Sequence, residues 1–304
     1  MPLFEIKTRT IVHHMGALDG VAAPPNSLEA IQASLDAGAA FIEVDITALA
    51  EDDYLLVHDS ELESETSGQG PVAAATPAHT RDLRIKRRGV VTPHPVPRLS
   101  EVIHLFQQSS GTTRLQLDFK NVYPLTSDEP LQRLVRLVEP LGSRVIVSTG
   151  ADWQLRKLRK LAPWLLLGFD IMFYIGWGPE GEQRDSRELP RQRGAYGYYD
   201  DHPLGQSRIW LVSDYLRDRG EALAGLVPDI SVFYLDYRLI IQSLADGFNW
   251  AEVCHQHGIK LDAWTMDVTN PVVVAQAPRL LQAGVDLFTT NTPRALAKLL
   301  GIGL

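Results

Sequence analysis

Cysteine occurs once in the 304 residues, at Cys254, so the chain can form neither an internal disulfide nor a thiolate cluster for zinc. Basic side chains are outnumbered, 29 Lys and Arg against 37 Asp and Glu for a net charge of −8. A chain with that balance lacks the positive footprint of a nucleic-acid binder, and no nucleic-acid partner is expected. No uninterrupted apolar run reaches the roughly 18 residues that a bilayer crossing needs, so no transmembrane segment is expected. Residues 1–9 carry Glu5, Lys7 and Arg9 and no apolar core of the secretory kind, which reads as a cytoplasmic protein. What remains is ordinary globular material, 45% apolar and 22% charged, enough to bury one large core. Nothing in the composition speaks to oligomeric state.

Short apolar runs alternate with helix-like stretches along the whole chain. Strands are expected at 10–13, 40–47, 54–58, 113–120, 144–148, 165–170, 230–236, 259–265 and 285–289. Helices are expected at 26–38, where Asn26 or Ser27 caps the start and Gly38 ends it, then around 129–139, 153–161, 250–257, 278–283 and 293–300. About eight strands alternating with helices favour one parallel α/β barrel, the TIM (β/α)8 type, over two domains, so that residues 1–304 form one unit. Two stretches break the rhythm. Residues 60–97 are rich in Ser, Thr, Gly and Pro, with a basic run at Arg81, Arg84, Lys86, Arg87 and Arg88 that reads as a solvated face or, as the alternative, as a patch for anionic lipid or phosphate. Residues 172–208 follow a strand and carry Trp177, Tyr196 and Tyr198. They read as a long βα-loop insertion on the face where barrel enzymes keep their sites, either solvated or forming a lid or substrate wall.

Polar groups stand where buried strands should be apolar. Glu43 and Asp45 are two apart in AFIEVDIT, and residues i and i+2 share a strand face. Asp118 and Lys120 repeat the spacing in LQLDFK, and His14 and His58 end the runs TIVHH and YLLVH. Strand C-termini converge at one mouth of a barrel, where all six side chains can meet. Three carboxylates there repel one another unless a cation holds them, and an all-oxygen ligand set favours Mg²⁺ or Ca²⁺. Two imidazoles beside one such divalent ion suit acid–base work near neutral pH. With no serine elbow and no Gly-rich phosphate loop, the set points to chemistry at a small-molecule phosphate diester.

The ordered motifs resemble the glycerophosphodiester phosphodiesterase family. His14-Met-Gly16, Pro24-Pro-Asn-Ser27-Leu, Glu43-Val-Asp45 and His58-Asp59 are similar to that family's H-R-G, P-E-N-T/S-L, E-x-D and H-D. The likeness continues through Val96-Pro-Arg-Leu-Ser-Glu-Val, Leu117-Asp-Phe-Lys120, Trp264-Thr-Met-Asp267 and the run from Gly284 to Pro293. The resemblance implies a TIM barrel and a metal-dependent phosphodiesterase that releases an alcohol and glycerol 3-phosphate. By the same resemblance Glu43, Asp45 and Asp118 bind the metal, and His14 and His58 form the acid–base pair. Lys120 neutralises phosphate or orders the carboxylates, and Trp264 lines the substrate pocket. Met15, Pro25 and Ser64 depart from the family's Arg, Glu and Arg, which removes two cationic contacts to phosphate.

Two other readings follow from the same residues. One is a lysolipid or sphingomyelinase D-like enzyme that forms a cyclic phosphate, with Trp177 and Tyr198 walling an acyl chain. The other is a ligand-binding barrel without turnover. His13 is the alternative to His14, which is favoured because it precedes Gly16 in the motif's spacing. Asp267 and Asn291 read equally as pocket groups or as turn and cap residues. Cys254 reads as buried filler, and His255 and His257 as helix C-terminal residues.

Overall fold

The structure, a computed structural model, describes residues 9–123, 125, 127–182 and 188–304. The charged start with Glu5 and Lys7, and residues 183–187 of the 172–208 stretch, lie outside the described residues.

The chain opens with β1 (Thr10–His13) and β2 (Phe41–Ala48), then a two-residue β3 (Tyr54–Leu55) and a hairpin of β4 (Arg84–Arg87) and β5 (Val90–Pro95). Six more strands follow: β6 (Arg114–Phe119), β7 (Val145–Thr149), β8 (Leu166–Asp170), β9 (Val232–Asp236), β10 (Lys260–Trp264) and β11 (Leu287–Thr290). β1, β2 and β6 to β11 pair in parallel, and the ring closes because β1 bonds both β2 and β11. This is the expected (β/α)8 barrel. Its strands read as near-continuous apolar runs because helices cover one face and the barrel interior the other. Val12, Phe41, Ile146, Leu166, Val232 and Leu287 fill that interior beneath the mouth. A larger core lies between strands and helices, and a satellite core of Leu55, Val57, Leu62, Ile85 and Val96 supports the β4–β5 hairpin.

Local signals explain much of the chain's course. Ser27 accepts from Ala30 N and starts the helix Leu28–Asp36, the ordinary N-cap geometry. Three expectations need correction. The apolar run at 54–58 pairs only over Tyr54–Leu55, antiparallel to β2. Leu56 N then donates to Pro97 O, so this run leaves the sheet and is not a barrel strand. The helix expected at 278–283 is Pro271–Ala283, capped by Asn270 with Pro271 in its first turn and Pro278 inside it. The helices Leu99–Gln108, Val212–Ala224 and Tyr237–Ala245 had no counterpart in the expected elements.

The described part of 172–208 is anchored to the barrel's outer layer. Asp200 is buried and accepts from Arg219 Nε at 2.7 Å and from the Tyr215 hydroxyl at 2.6 Å. Tyr196 stacks on Tyr215 at 4.2 Å between ring centroids. Tyr198 is buried and donates to Asp246 at 2.7 Å. It is therefore a core residue and not the acyl-chain wall imagined from the sequence.

Candidate active site

The C-terminal ends of the strands open on a cavity of about 310 Å³ lined by His14, Glu43, His58, Asp118, Lys120 and Trp264, among others. Asp45 lies just beneath, buried, and its carboxylate can join those of Glu43 and Asp118 with one oxygen from each within 4.8 Å of the others. All seven residues singled out in the sequence are thus brought together. Glu43 and Asp45 arrive on one face of β2, and Asp118 on β6 stands opposite Asp45 in the strand register. His58 arrives by a different route from the one its apolar run implied. It sits in the loop after β3, where Glu65 Oε2 accepts from the backbone N–H groups of His58 (2.6 Å) and Asp59 (3.1 Å).

The turn after β1 is shaped for this site. Met15 adopts a left-handed conformation, φ 52°, which costs a non-glycine residue energy. In return its N–H donates to Glu43 Oε2 at 2.9 Å. Gly16 follows at φ 66°, and a Cβ there would meet Ile31 Cγ1 at 2.9 Å, so the turn has room for glycine alone.

The electrostatics are those of an under-neutralised acidic cluster. Burial, then Asp45 and Asp118, holds the Glu43 carboxyl well above the usual carboxylate range. Lys120 Nζ lies 3.0 Å from Asp45 Oδ1 and 2.5 Å from Asp118 Oδ2. Burial opposes the Lys120 ammonium, yet Asp118, Asp45 and Glu43 outweigh it and hold its pKa well above the ordinary lysine value. For Asp45, burial is overcome by Lys120, His58 and His14, and its carboxyl stays below the usual range. One ammonium among three carboxylates leaves room for a further cation, and the donors are all hard oxygens, so the residues fit a divalent ion.

The two imidazoles are held differently. Asn291 Nδ2 donates to Asp267 at 2.9 Å, which leaves Asn291 Oδ1 as the acceptor for His14 Nδ1–H at 3.0 Å. That fixes the His14 tautomer and turns Nε2 toward Glu43, 3.9 Å away. Asp267 and Asn291 are therefore neither mere caps nor turn residues; they orient His14. His58 pairs through Nδ1 with Asp59 Oδ1 at 2.9 Å and has a half-exposed side chain.

His13 does not compete for the role. It is fully buried, and its Nδ1–H is accepted by Ser34 Oγ, whose own proton goes to Gly16 O. Burial, with Arg294 nearby, lowers its pKa from 6.5 to about 4. Between those values the unfolded chain binds more protons than the native one. The stabilisation is thus complete above pH 6.5 and is lost as pH falls toward 4, by on the order of 3 kcal/mol. Denaturant titrations at pH 7 and pH 4.5 are expected to show that loss, and His13→Gln, with nothing to protonate, to show less of it.

Several site residues carried no signal in the sequence. Asp170 ends β8 and lines the cavity; burial, then Asp118, pushes its carboxyl up to about 7. Arg87 was expected on a solvated face. Instead its Nη2 donates to Pro25 O at 3.0 Å and lies 3.5 Å from Met15 Sδ. A guanidinium from the hairpin thus touches both positions where the motifs lack their Arg and Glu. Cys254 is buried, and His255 and His257 pair with Asp286 and Glu221, away from the cavity.

Comparison with known proteins gives a consistent result. A sequence model of the glycerophosphoryl diester phosphodiesterase family matches residues 19–178. A curated relative, the glycerophosphodiester phosphodiesterase of Caldanaerobacter subterraneus subsp. tengcongensis, is 23% identical over 295 residues, covering 96% of this chain and 98% of that protein. Among solved structures, a glycerophosphodiester phosphodiesterase from Parabacteroides distasonis superposes with TM-score 0.64 at 17% identity, covering 97% and 98% of the two chains. An Oleispira antarctica phosphodiesterase, solved with its product sn-glycerol-3-phosphate, gives 0.62 at 16% identity and 97% coverage of both. At those identities the structural matches speak for the shared fold.

Proposed function

The chain belongs to the glycerophosphoryl diester phosphodiesterase family, a family of phosphoric diester hydrolases, and we propose that it hydrolyses glycerophosphodiesters to an alcohol and glycerol 3-phosphate by metal-dependent, two-histidine catalysis. The observation that carries this reading is the convergence of three carboxylates and two imidazoles on one cavity.

Glu43, Asp45 and Asp118 would hold one Mg²⁺ or Ca²⁺ ion. The chemistry such an ion supplies is neutralisation of charge at a phosphate oxygen. The chain's own groups do the rest. Lys120 orders Asp45 and Asp118 and adds positive charge beside the phosphate. Of His14 and His58, one takes the proton of the attacking oxygen and the other returns a proton to the leaving alcohol. Trp264 walls the cavity. It also lines a second, adjoining cavity of about 490 Å³ with His58, Asp170, Phe173 and Trp177. We read 172–208 as an insertion within the single barrel, and its described residues supply part of that second wall.

Purified protein given glycerophosphocholine and Mg²⁺ or Ca²⁺ is expected to release choline and glycerol 3-phosphate, and EDTA to abolish turnover. Turnover untouched by EDTA would contradict the metal assignment. A lasting cyclic phosphate signal in phosphorus NMR would favour the cyclising reading instead.

A further inference from the structure

Exposed apolar side chains gather at the mouth end of the barrel. Ile209, Trp210 and Leu211 stand in a row, 63%, 41% and 71% exposed. Single exposed apolar residues are ordinary, but a run of three marks a surface that meets something apolar. The run lies just before the helix Val212–Ala224, which starts at the mouth end and leads the chain back along the barrel. Its backbone is fixed, because the N–H groups of Ile209 and Trp210 both donate to the Tyr196 hydroxyl at 3.0 Å. Tyr196 stacks on Tyr215, which donates in turn to the buried Asp200 of the Asp200–Arg219 pair. The three side chains are thus presented to solvent from a rigid base.

A second apolar tip lies elsewhere on the rim. Arg88 (φ 50°) and Gly89 (φ 77°) form the two-residue turn between β4 and β5, and Val90 and Val91 behind it are mostly exposed. The hairpin belongs to the mouth end, since Arg87 reaches Pro25 O and Met15, and Met15 lines the cavity. Tyr123 is exposed in the loop after β6. In ring order the hairpin follows β2, the tyrosine β6 and, past β7, the triplet β8, so the tips stand apart around the mouth. At the opposite end the large apolar side chains exposed among the described residues are Leu161, Trp164 and Leu299. Cations flank both tips: exposed Arg88 precedes the valines and exposed Arg208 precedes Ile209. In a chain of net charge −8, no Asp or Glu occurs from Leu83 to Ser100 or from His202 to Ser213.

Aliphatic tips with a tryptophan, a tyrosine and adjoining arginines match an anionic bilayer. Its headgroup layer takes the rings, its acyl region the aliphatic chains and its phosphates the arginines. A protein partner would need a matching hollow for each separated tip, whereas a bilayer admits them anywhere on its plane. We propose that the mouth end of the barrel docks on an anionic phospholipid bilayer, with Ile209-Trp210-Leu211 and the Val90–Val91 tip inserted and the cavity facing the headgroups. Docking of this kind is separate from the reaction proposed above and does not require it.

Cosedimentation with vesicles tests the docking. Wild type is expected to bind vesicles of equal parts phosphatidylcholine and phosphatidylglycerol, and to bind pure phosphatidylcholine more weakly. Serine at Ile209, Trp210 and Leu211 together is expected to weaken binding on the order of 10²-fold, about fivefold per partly exposed side chain. Val90→Ser with Val91→Ser is expected to weaken it roughly twentyfold on the same basis. Trp164→Ser, which removes a similarly exposed tryptophan from the opposite end, is expected to bind like wild type, and circular dichroism reports that each variant is folded. Wild type that fails to bind the mixed vesicles, either tip variant binding like wild type, or equal weakening by Trp164→Ser would overturn the docking. Equal binding to pure phosphatidylcholine would contradict the anionic assignment. Self-association that depends on the triplet, without vesicle binding, would overturn the proposal in favour of a second copy of the chain.

Discussion

Replacing His14 by alanine is expected to lower kcat by roughly 10²–10⁴-fold, and replacing His58 by alanine to do the same, the usual worth of a positioned acid or base. The two losses should separate with the leaving group. A nitrophenolate leaves without needing a proton, so on an aryl diester the variant lacking the acid regains most of its rate. The variant lacking the base does not. Rates measured on glycerophosphocholine and on an aryl diester therefore assign the roles that the hydrogen bonds to Asn291 and Asp59 leave unassigned. Equal activity of both variants with wild type would end the acid–base account.

The second large effect is expected at Lys120. Its ammonium is the one cation within hydrogen-bond reach of Asp45 and Asp118 among the described residues. Lys120→Met leaves three carboxylates facing one another, and removing one partner of a buried ion pair costs about 3–5 kcal/mol. Anything that binds the folded state and not the unfolded one restores stability by mass action. The variant is therefore expected to unfold at clearly lower denaturant in EDTA and to recover much of the difference in millimolar Mg²⁺ or Ca²⁺. A loss that is the same in both buffers would show that no ion replaces the missing charge. Activity is expected to fall as well, by roughly 10²-fold, the loss of one charge-assisted contact in the transition state.

How much of this was legible from residues alone depends on the kind of signal each part carries. The alternation in β2 announces itself, because Glu43 and Asp45 interrupt an otherwise apolar strand at period two. The cap at Ser27 and the proline at Pro293 mark their helices in the same local way. Tertiary effects hid the rest. The run ending in His58 has the composition of a strand, yet it turns away to pair with Pro97 and so brings His58 to the cavity by a loop. Pro278 looks like the first residue of a helix and sits inside one, because the start is set seven residues earlier by the Asn270 cap. The helix Val212–Ala224 carries Arg219, whose burial makes sense only beside Asp200 from the preceding long loop.

At the site, the acidic and histidine residues were readable because charge on a buried strand is costly and so conspicuous. Tyr234 and Gln116, which also line the cavity, were not, since tyrosine and glutamine in a strand are unremarkable until their burial and lack of partners are known. Arg87 was hidden for the opposite reason, as one charge among five in a basic run. Only the hairpin register and its contact with Pro25 O separate it from its neighbours.

The account stands on one dication held by Glu43, Asp45 and Asp118, and calorimetric titration of metal-stripped protein with Mg²⁺ and with Ca²⁺ tests it most directly. One site per chain is expected, lost in Asp118→Asn and in Glu43→Gln while both variants keep the wild-type circular dichroism spectrum. Binding that is absent in wild type, or that persists unchanged in both variants, would contradict it.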